Sequence, residues 1–186
     1  VAGVPVGEFA LGSLLLDAGA AGIVAPMINS LADASAFADF CKFPPLGQRS
    51  WGPMRALLST GLAAQDYLSQ ANGLQLALAM IETRAALDAL DVILDHPGID
   101  GVLVGPSDLS IALTGGTLDG EGALVEAALD RIAAACKARG KIAAVFCLSG
   151  ARARALAARG FRLTGASYDQ GMFTRRAAAE LAAARG

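Results

Sequence analysis

Two stretches decide the fold: Met80-Ile81-Glu82-Thr83-Arg84 and Gly105-Pro106-Ser107-Asp108-Leu109-Ser110. Each closes an apolar run and opens a helix. The first run is Leu74-Gln75-Leu76-Ala77-Leu78-Ala79-Met80-Ile81, closed by Glu82. The second is Gly101-Val102-Leu103-Val104, followed by Asp108. Short apolar runs between helical patterns read as buried parallel strands. Both carboxylates then sit where a strand hands over to its helix, the edge at which α/β folds collect chemistry. One helix, about Arg84 to Asp95, separates the two strands and makes them neighbours, about 4.8 Å apart. Two carboxylates at the same end of neighbouring strands can share one cation.

Outward from this pair the same rhythm repeats. Strands are expected at about 2–6, 23–27, 75–81, 101–105, 142–147 and 162–167. Helices are expected at about 9–18, 31–41, 65–71, 84–95, 123–139 and 151–159, with an alanine-rich tail helix from about 171 to 185. Asn29 or Ser30 is placed to cap the second helix and Thr83 the helix after Glu82. Phe43 to Pro53, with Pro44-Pro45-Leu46-Gly47-Gln48-Arg49, cannot continue a helix and reads as an irregular loop. Strand-helix alternation means a parallel sheet with right-handed crossovers. No glycine-rich phosphate motif follows the first strand, which argues against a Rossmann nucleotide fold. Six βα units fall two short of a (β/α)₈ barrel. The 186 residues are enough for one domain, 1–186, with a real core.

Composition narrows the function. Hydrophobic residues make up 54% of the chain, yet no run of about 18 apolar residues suggests a membrane span. No secretory leader is visible. The net charge of −2 and scattered cations such as Arg152, Arg154, Arg159, Arg175 and Arg176 fit solvated helix faces, not a nucleic-acid footprint. Cys41, Cys136 and Cys147 match no zinc spacing and read as reduced thiols of a cytoplasmic protein. Cys147 ends a strand, so a nucleophile is weighed against a buried bystander, and the bystander is preferred. His96, the single histidine, precedes Pro97-Gly98 at a helix end, away from the strand ends that carry Glu82 and Asp108. Lys42, Lys137 and Lys141 sit at helix ends or a strand start, which leaves a Schiff-base mechanism without a candidate. Arg49 either binds an anionic aldehyde or anchors its own loop. Trp51 either lines a substrate entrance or packs under the proline loop. Asp169 either approaches the site or caps a helix.

Gly22 to Asn29 (GIVAPMIN), Phe43 to Arg49 (FPPLGQR), Met80 to Arg84 (MIETR) and Val104 to Ser110 (VGPSDLS) occur in that order. Together they resemble the HpcH/HpaI aldolase family of metal-dependent pyruvate aldolases, over nearly the whole chain. The resemblance implies a TIM barrel of the phosphoenolpyruvate/pyruvate type. It also implies homo-oligomers, commonly hexamers, in which the last helix is exchanged between subunits. It implies reversible aldol cleavage of 4-hydroxy-2-oxo acids to pyruvate and an aldehyde. Glu82 and Asp108 would be the metal ligands, for Mg²⁺ or Mn²⁺ with Co²⁺ as a further candidate. The backbone N–H groups of Ser107 and Asp108 would face the pyruvate carboxylate. The family carries about 65–70 residues ahead of this start, enough for the two remaining barrel strands. That part holds the family's catalytic histidine, and Gly3 stands where the family places an arginine on the pyruvate carboxylate.

Structural readings of the same residues stand beside this. Asp108, after Pro106-Ser107, also reads as a simple helix cap, and Glu82 in a first turn as an answer to the macrodipole. Two other functions are weighed: a citrate lyase β or malyl-CoA lyase-like carbon–carbon lyase, and a catalytically impaired scaffold subunit. A six-strand piece of a barrel would leave sheet edges open. The chain is therefore expected to be poorly stable as a monomer. Sedimentation with thermal melting checks this, and a monodisperse, cooperatively melting monomer would contradict it.

Overall fold

The computed structural model describes residues 1–186. Its six strands are β1 (Ala2–Gly3), β2 (Gly22–Ala25), β3 (Leu76–Ile81), β4 (Gly101–Val104), β5 (Ile142–Phe146) and β6 (Leu163–Gly165). All neighbours pair parallel, and the spatial order is the chain order, β1 to β6. The helices are α1 (Phe9–Asp17), α2 (Leu31–Cys41), α3 (Met54–Thr60), α4 (Ala64–Leu74), α5 (Arg84–Asp88), α6 (Leu90–Asp95), α7 (Pro106–Thr114), α8 (Ala123–Ala138), α9 (Gly150–Ala158) and α10 (Asp169–Arg185).

Side chains alternate across the sheet with the two-residue period of a strand. Ala77, Ala79 and Ile81 of β3 face one way, with Ile23, Ala25, Val102, Val104, Ala143 and Val145. They join helix residues such as Leu16, Phe37, Leu90, Leu129 and Leu156 in a core of 33 buried residues. Leu76, Leu78 and Met80 face the other way, with Val24, Leu103, Ala144 and Ile142. That inner cluster has only three buried residues, against 33 on the helix side, so nearly all helix packing is on one side. Sequential order with one-sided helices is the arrangement of a curled segment of a (β/α) barrel, not of a doubly wound sheet.

The amino ends of the strands are closed by buried charge. Lys42, 1% exposed, donates to Asp100 Oδ2 at 2.6 Å and to the Asn72 and Gln75 carbonyls at 2.7 Å each. Asp100 Oδ2 also accepts from the Ala77 N–H at 2.6 Å. Arg49 donates to Gln75 Oε1 and Asp17 Oδ1, both at 2.6 Å, and its guanidinium lies 4.5 Å from the Phe43 ring centroid. Gln75 and Asp100 immediately precede β3 and β4, so this clasp ties the loop after α2 to the start of both strands.

The elements differ from expectation at four points. β1 pairs only at Ala2 and Gly3, because Pro5 has no N–H to extend the ladder. The helix expected at 84–95 breaks at Ala89 into α5 and α6. α3, between Pro53 and the left-handed Gly61, lies where no element was placed. α4 runs through Asn72-Gly73, because the Asn72 side chain is taken up by both backbone groups of Phe43. No helix is long and apolar enough to cross a membrane.

Lys42→Ala would take the cation from Asp100, leaving it the Ala77 N–H, and the donor from the Asn72 and Gln75 carbonyls. The variant is expected to lose about 3 kcal/mol of stability, the scale for breaking one side of a buried ion pair. Chemical denaturation of the two proteins measures it.

Candidate active site

Glu82 follows the last residue of β3 and continues the parity of Leu78 and Met80. Its side chain therefore leaves on the inner face, at the carboxyl edge of the sheet. Asp108 comes from the first turn of α7, which begins with Pro106 at its first position. Gly105 lies between them. A Cβ placed there would be 3.4 Å from Asp108 Oδ2, 3.6 Å from Glu82 Cβ and 3.1 Å from Met80 Cε. The two acidic residues thus flank the Gly105 position, where a methyl group would touch both and crowd the end of Met80.

Glu82 is 7% exposed, whereas Asp108 and Ser107 are exposed. Glu82 Oε1 accepts the Met27 N–H at 2.8 Å. Burial raises the Glu82 pKa above the ordinary carboxylate value. The Met27 N–H opposes that rise, and the Asp108 charge adds to it. Both carboxylates line an open cleft of about 390 Å³ with Val6, Pro26, Met27, Thr83, Ile111 and Ala112. The first N–H groups of α7, at Ser107 and Asp108, have no partner within the helix and present positive ends beside the pair. Ser110, fully buried, fixes this turn: its hydroxyl donates to the Ser107 carbonyl at 2.6 Å and accepts from Asp119 N–H at 3.0 Å. A second cleft, about 290 Å³, opens on the other side of Ser107 against Phe146, Leu148 and Arg152. The larger cleft of about 630 Å³ lies between the ends of α8 and α9 and includes neither carboxylate.

The carboxylates are oxygen-only donors, one shielded and one exposed, and no third His, Cys, Asp or Glu joins them. Such a set fits a hard divalent cation with positions left for substrate and water.

The structure brings Glu82, Ser107 and Asp108 to one edge and separates Arg49 from them. Arg49 is bonded to Gln75 and Asp17, at the opposite end of β3, about 20 Å along the strand direction. An aldehyde-binding Arg49 is corrected on that geometry: its guanidinium is a buried loop anchor. Trp51 packs against Phe43 and Tyr67, with ring centroids 5.7 Å and 6.2 Å away. His96 follows α6 at the amino end of β4, and its Nδ1 accepts the Gly98 N–H at 3.1 Å. Burial lowers its pKa. Asp169 is an exposed first-turn residue of α10 and accepts from Gln170 N–H at 2.7 Å. Gly3 has no atom within 4 Å of a built Cβ.

Sequence reasoning missed Met27 and the tie between Thr83 and Asn29. Thr83 does cap α5, accepting from Ala86 N–H at 3.0 Å, and Ser30 caps α2, accepting from Asp33 N–H at 3.1 Å. Met27 adopts a left-handed backbone, φ 57°, which methionine does not signal.

The HpcH/HpaI aldolase/citrate lyase family matches residues 4–175, and the chain belongs to that family. It is 44% identical over 172 residues to a hydroxypyruvate/pyruvate aldolase from Rhizorhabdus wittichii, covering 92% of this chain and 67% of the relative. It is 38% identical over 142 residues to a 2-keto-3-deoxy-L-rhamnonate aldolase from Salmonella schwarzengrund, covering 74% of this chain and 52% of that protein. The chain thus spans between half and two thirds of these relatives' lengths. A solved HpcH/HpaI aldolase/citrate lyase family protein from Burkholderia cenocepacia superposes with a TM-score of 0.85 at 31% identity. That match covers 99% of this chain and 72% of the other.

All three cysteines are free and buried. Burial pushes the Cys41 thiol up to about 12, Cys136 up to about 11, and Cys147 above its ordinary value. Thiol titration with an aromatic disulfide near pH 8 is therefore expected to show no fast-reacting group in the native protein and three after unfolding. A rapidly labelled Cys147 would restore it as a nucleophile.

Proposed function

We propose that the protein carries out metal-dependent, reversible aldol cleavage of 4-hydroxy-2-oxo acids to pyruvate and an aldehyde. The observation that carries this reading is the placement of Glu82 and Asp108 around one open point beside the first turn of α7. Glu82 and Asp108 would hold a divalent cation, Mg²⁺, Mn²⁺ or Co²⁺. When bound, the cation supplies Lewis-acid stabilisation of the enolate formed from the pyruvate methyl group. The Ser107 and Asp108 N–H groups would orient the substrate carboxylate by hydrogen bonding at the positive end of α7. Met27, Ile111 and Ala112 give the open cleft an apolar side against which the substrate methyl group would lie. Glu82 and Asp108 are the only titratable side chains among its lining residues, so this part of the chain binds and orients. The aldolase names of its relatives, at 44% and 38% identity, support the reaction class.

The same proposal has α10 packing on another copy of the chain. Only Gly171 of this helix is buried, and Met172, Phe173 and Leu181 are 53%, 77% and 55% exposed. Apolar side chains in that state favour burial against a partner surface.

Calorimetry with Mn²⁺ in the presence of pyruvate tests the site apart from turnover. Saturable binding is expected, lost in Asp108→Asn. Gly105→Ala should weaken it on the order of 10-fold, as its methyl fills the space between the ligands. No binding by a folded sample would return both carboxylates to structural roles. With metal bound, pyruvate release from a 4-hydroxy-2-oxo acid separates an aldolase from a scaffold.

A further inference from the structure

Glu82 is gripped from the loop that follows β2. Met27 N–H reaches Glu82 Oε1 at 2.8 Å. Two residues on, Asn29 Oδ1 accepts the hydroxyl proton of Thr83, the residue after Glu82. The Thr83 oxygen also accepts from Ala86 N–H at 3.0 Å, so its single proton is committed to Asn29. Asn29 is held in turn, its own N–H donating to Asp33 Oδ2 at 3.0 Å. Two links therefore run side by side between the loops after β2 and β3: Met27 to Glu82, and Asn29 to Thr83.

The backbone at Met27 shows what these links accomplish. Its φ of 57° lies in the left-handed region, which a non-glycine residue keeps when its surroundings hold it there. The Met27 side chain is 42% exposed, so core packing does not enforce that conformation. Asn29, tied to Thr83 and Asp33, holds the chain two residues on, and in this conformation the Met27 N–H meets Oε1. Oε1 is thereby occupied, and Oε2 carries no hydrogen bond within the chain.

We infer that Asn29 and Thr83 form a latch that positions the Glu82 carboxylate through the Met27 N–H and presents one oxygen to a cation. The cation part rests on the metal-site reading above; the latch itself does not. Asn29 and Thr83 are positioning residues, acting on Glu82 and not on substrate.

The test uses the full chain, Asn29→Ala and Thr83→Ser. Amide hydrogen exchange at Met27 reads the latch without metal, and Mn²⁺ calorimetry reads its consequence. Asn29→Ala is expected to speed Met27 exchange about 10-fold while exchange at Leu78 in β3 holds. It should weaken Mn²⁺ binding on the order of 10-fold. Thr83→Ser, which keeps the hydroxyl, should match the unaltered chain in both. Unchanged Met27 exchange in Asn29→Ala would overturn the latch, whatever the metal does. Faster exchange at Met27 and Leu78 alike would reduce Asn29 to a general structural role and overturn it as well. Faster exchange at Met27 with unchanged Mn²⁺ affinity would remove the positioning role. Failure of the unaltered chain to bind Mn²⁺ would sink the metal reading, and Met27 exchange would still decide the latch.

Discussion

The helices that pack on this sheet cross on one side of it, and the two-residue alternation along the strands makes that possible. β3 shows the division clearly. Its small outward residues, Ala77 and Ala79, let helices approach, while Leu76, Leu78 and Met80 fill the inner face. With all crossovers on the same side and strands in chain order, every loop that leaves a strand gathers at one edge. Glu82 and Asp108 come from consecutive loops of that edge. Their meeting is a consequence of register, since Ile81 pairs with Val104 just before the chain leaves both strands.

The two ends of the sheet use charge differently. At the amino end, Lys42 with Asp100 and Arg49 with Asp17 are matched pairs, each cation almost wholly buried and hydrogen-bonded to neighbouring backbone or amide groups. Such groups close loops, and only the Arg49 Nε is left there without a hydrogen-bond partner. At the carboxyl end, two acids face each other with no cation of the chain between them. Like charges placed together raise each other's cost of ionisation. This arrangement differs from the paired, buried charges at the amino end.

Much of this was readable from the residues. The apolar runs ending at Ile81 and Val104, the cap at Thr83 and the helix after Pro106 follow from local pattern, because parallel strands buried on both faces must be apolar throughout. Arg49 was not readable. Its loop motif looks the same whether the guanidinium turns to a ligand or to Asp17, and only the path of the chain after α2 sends it to the amino end. Asn72-Gly73 carried a stop signal that tertiary contacts with Phe43 overrode. Met27 gave no signal, since its N–H and the neighbouring Asn29 side chain find partners more than fifty positions away.

The sequence by itself determined the alternation of strands and helices, the continuous apolar runs of the strands and the placement of Glu82 and Asp108 at strand ends. Those features depend on spacing and on burial of apolar surface, which are local. Tertiary structure alone decided which cations are spent on the amino-end clasp, that Gly105 leaves the space between the acids open, and that Asn29 and Met27 hold Glu82. Each of these depends on two distant segments meeting at hydrogen-bond distance, and no stretch of sequence contains that distance.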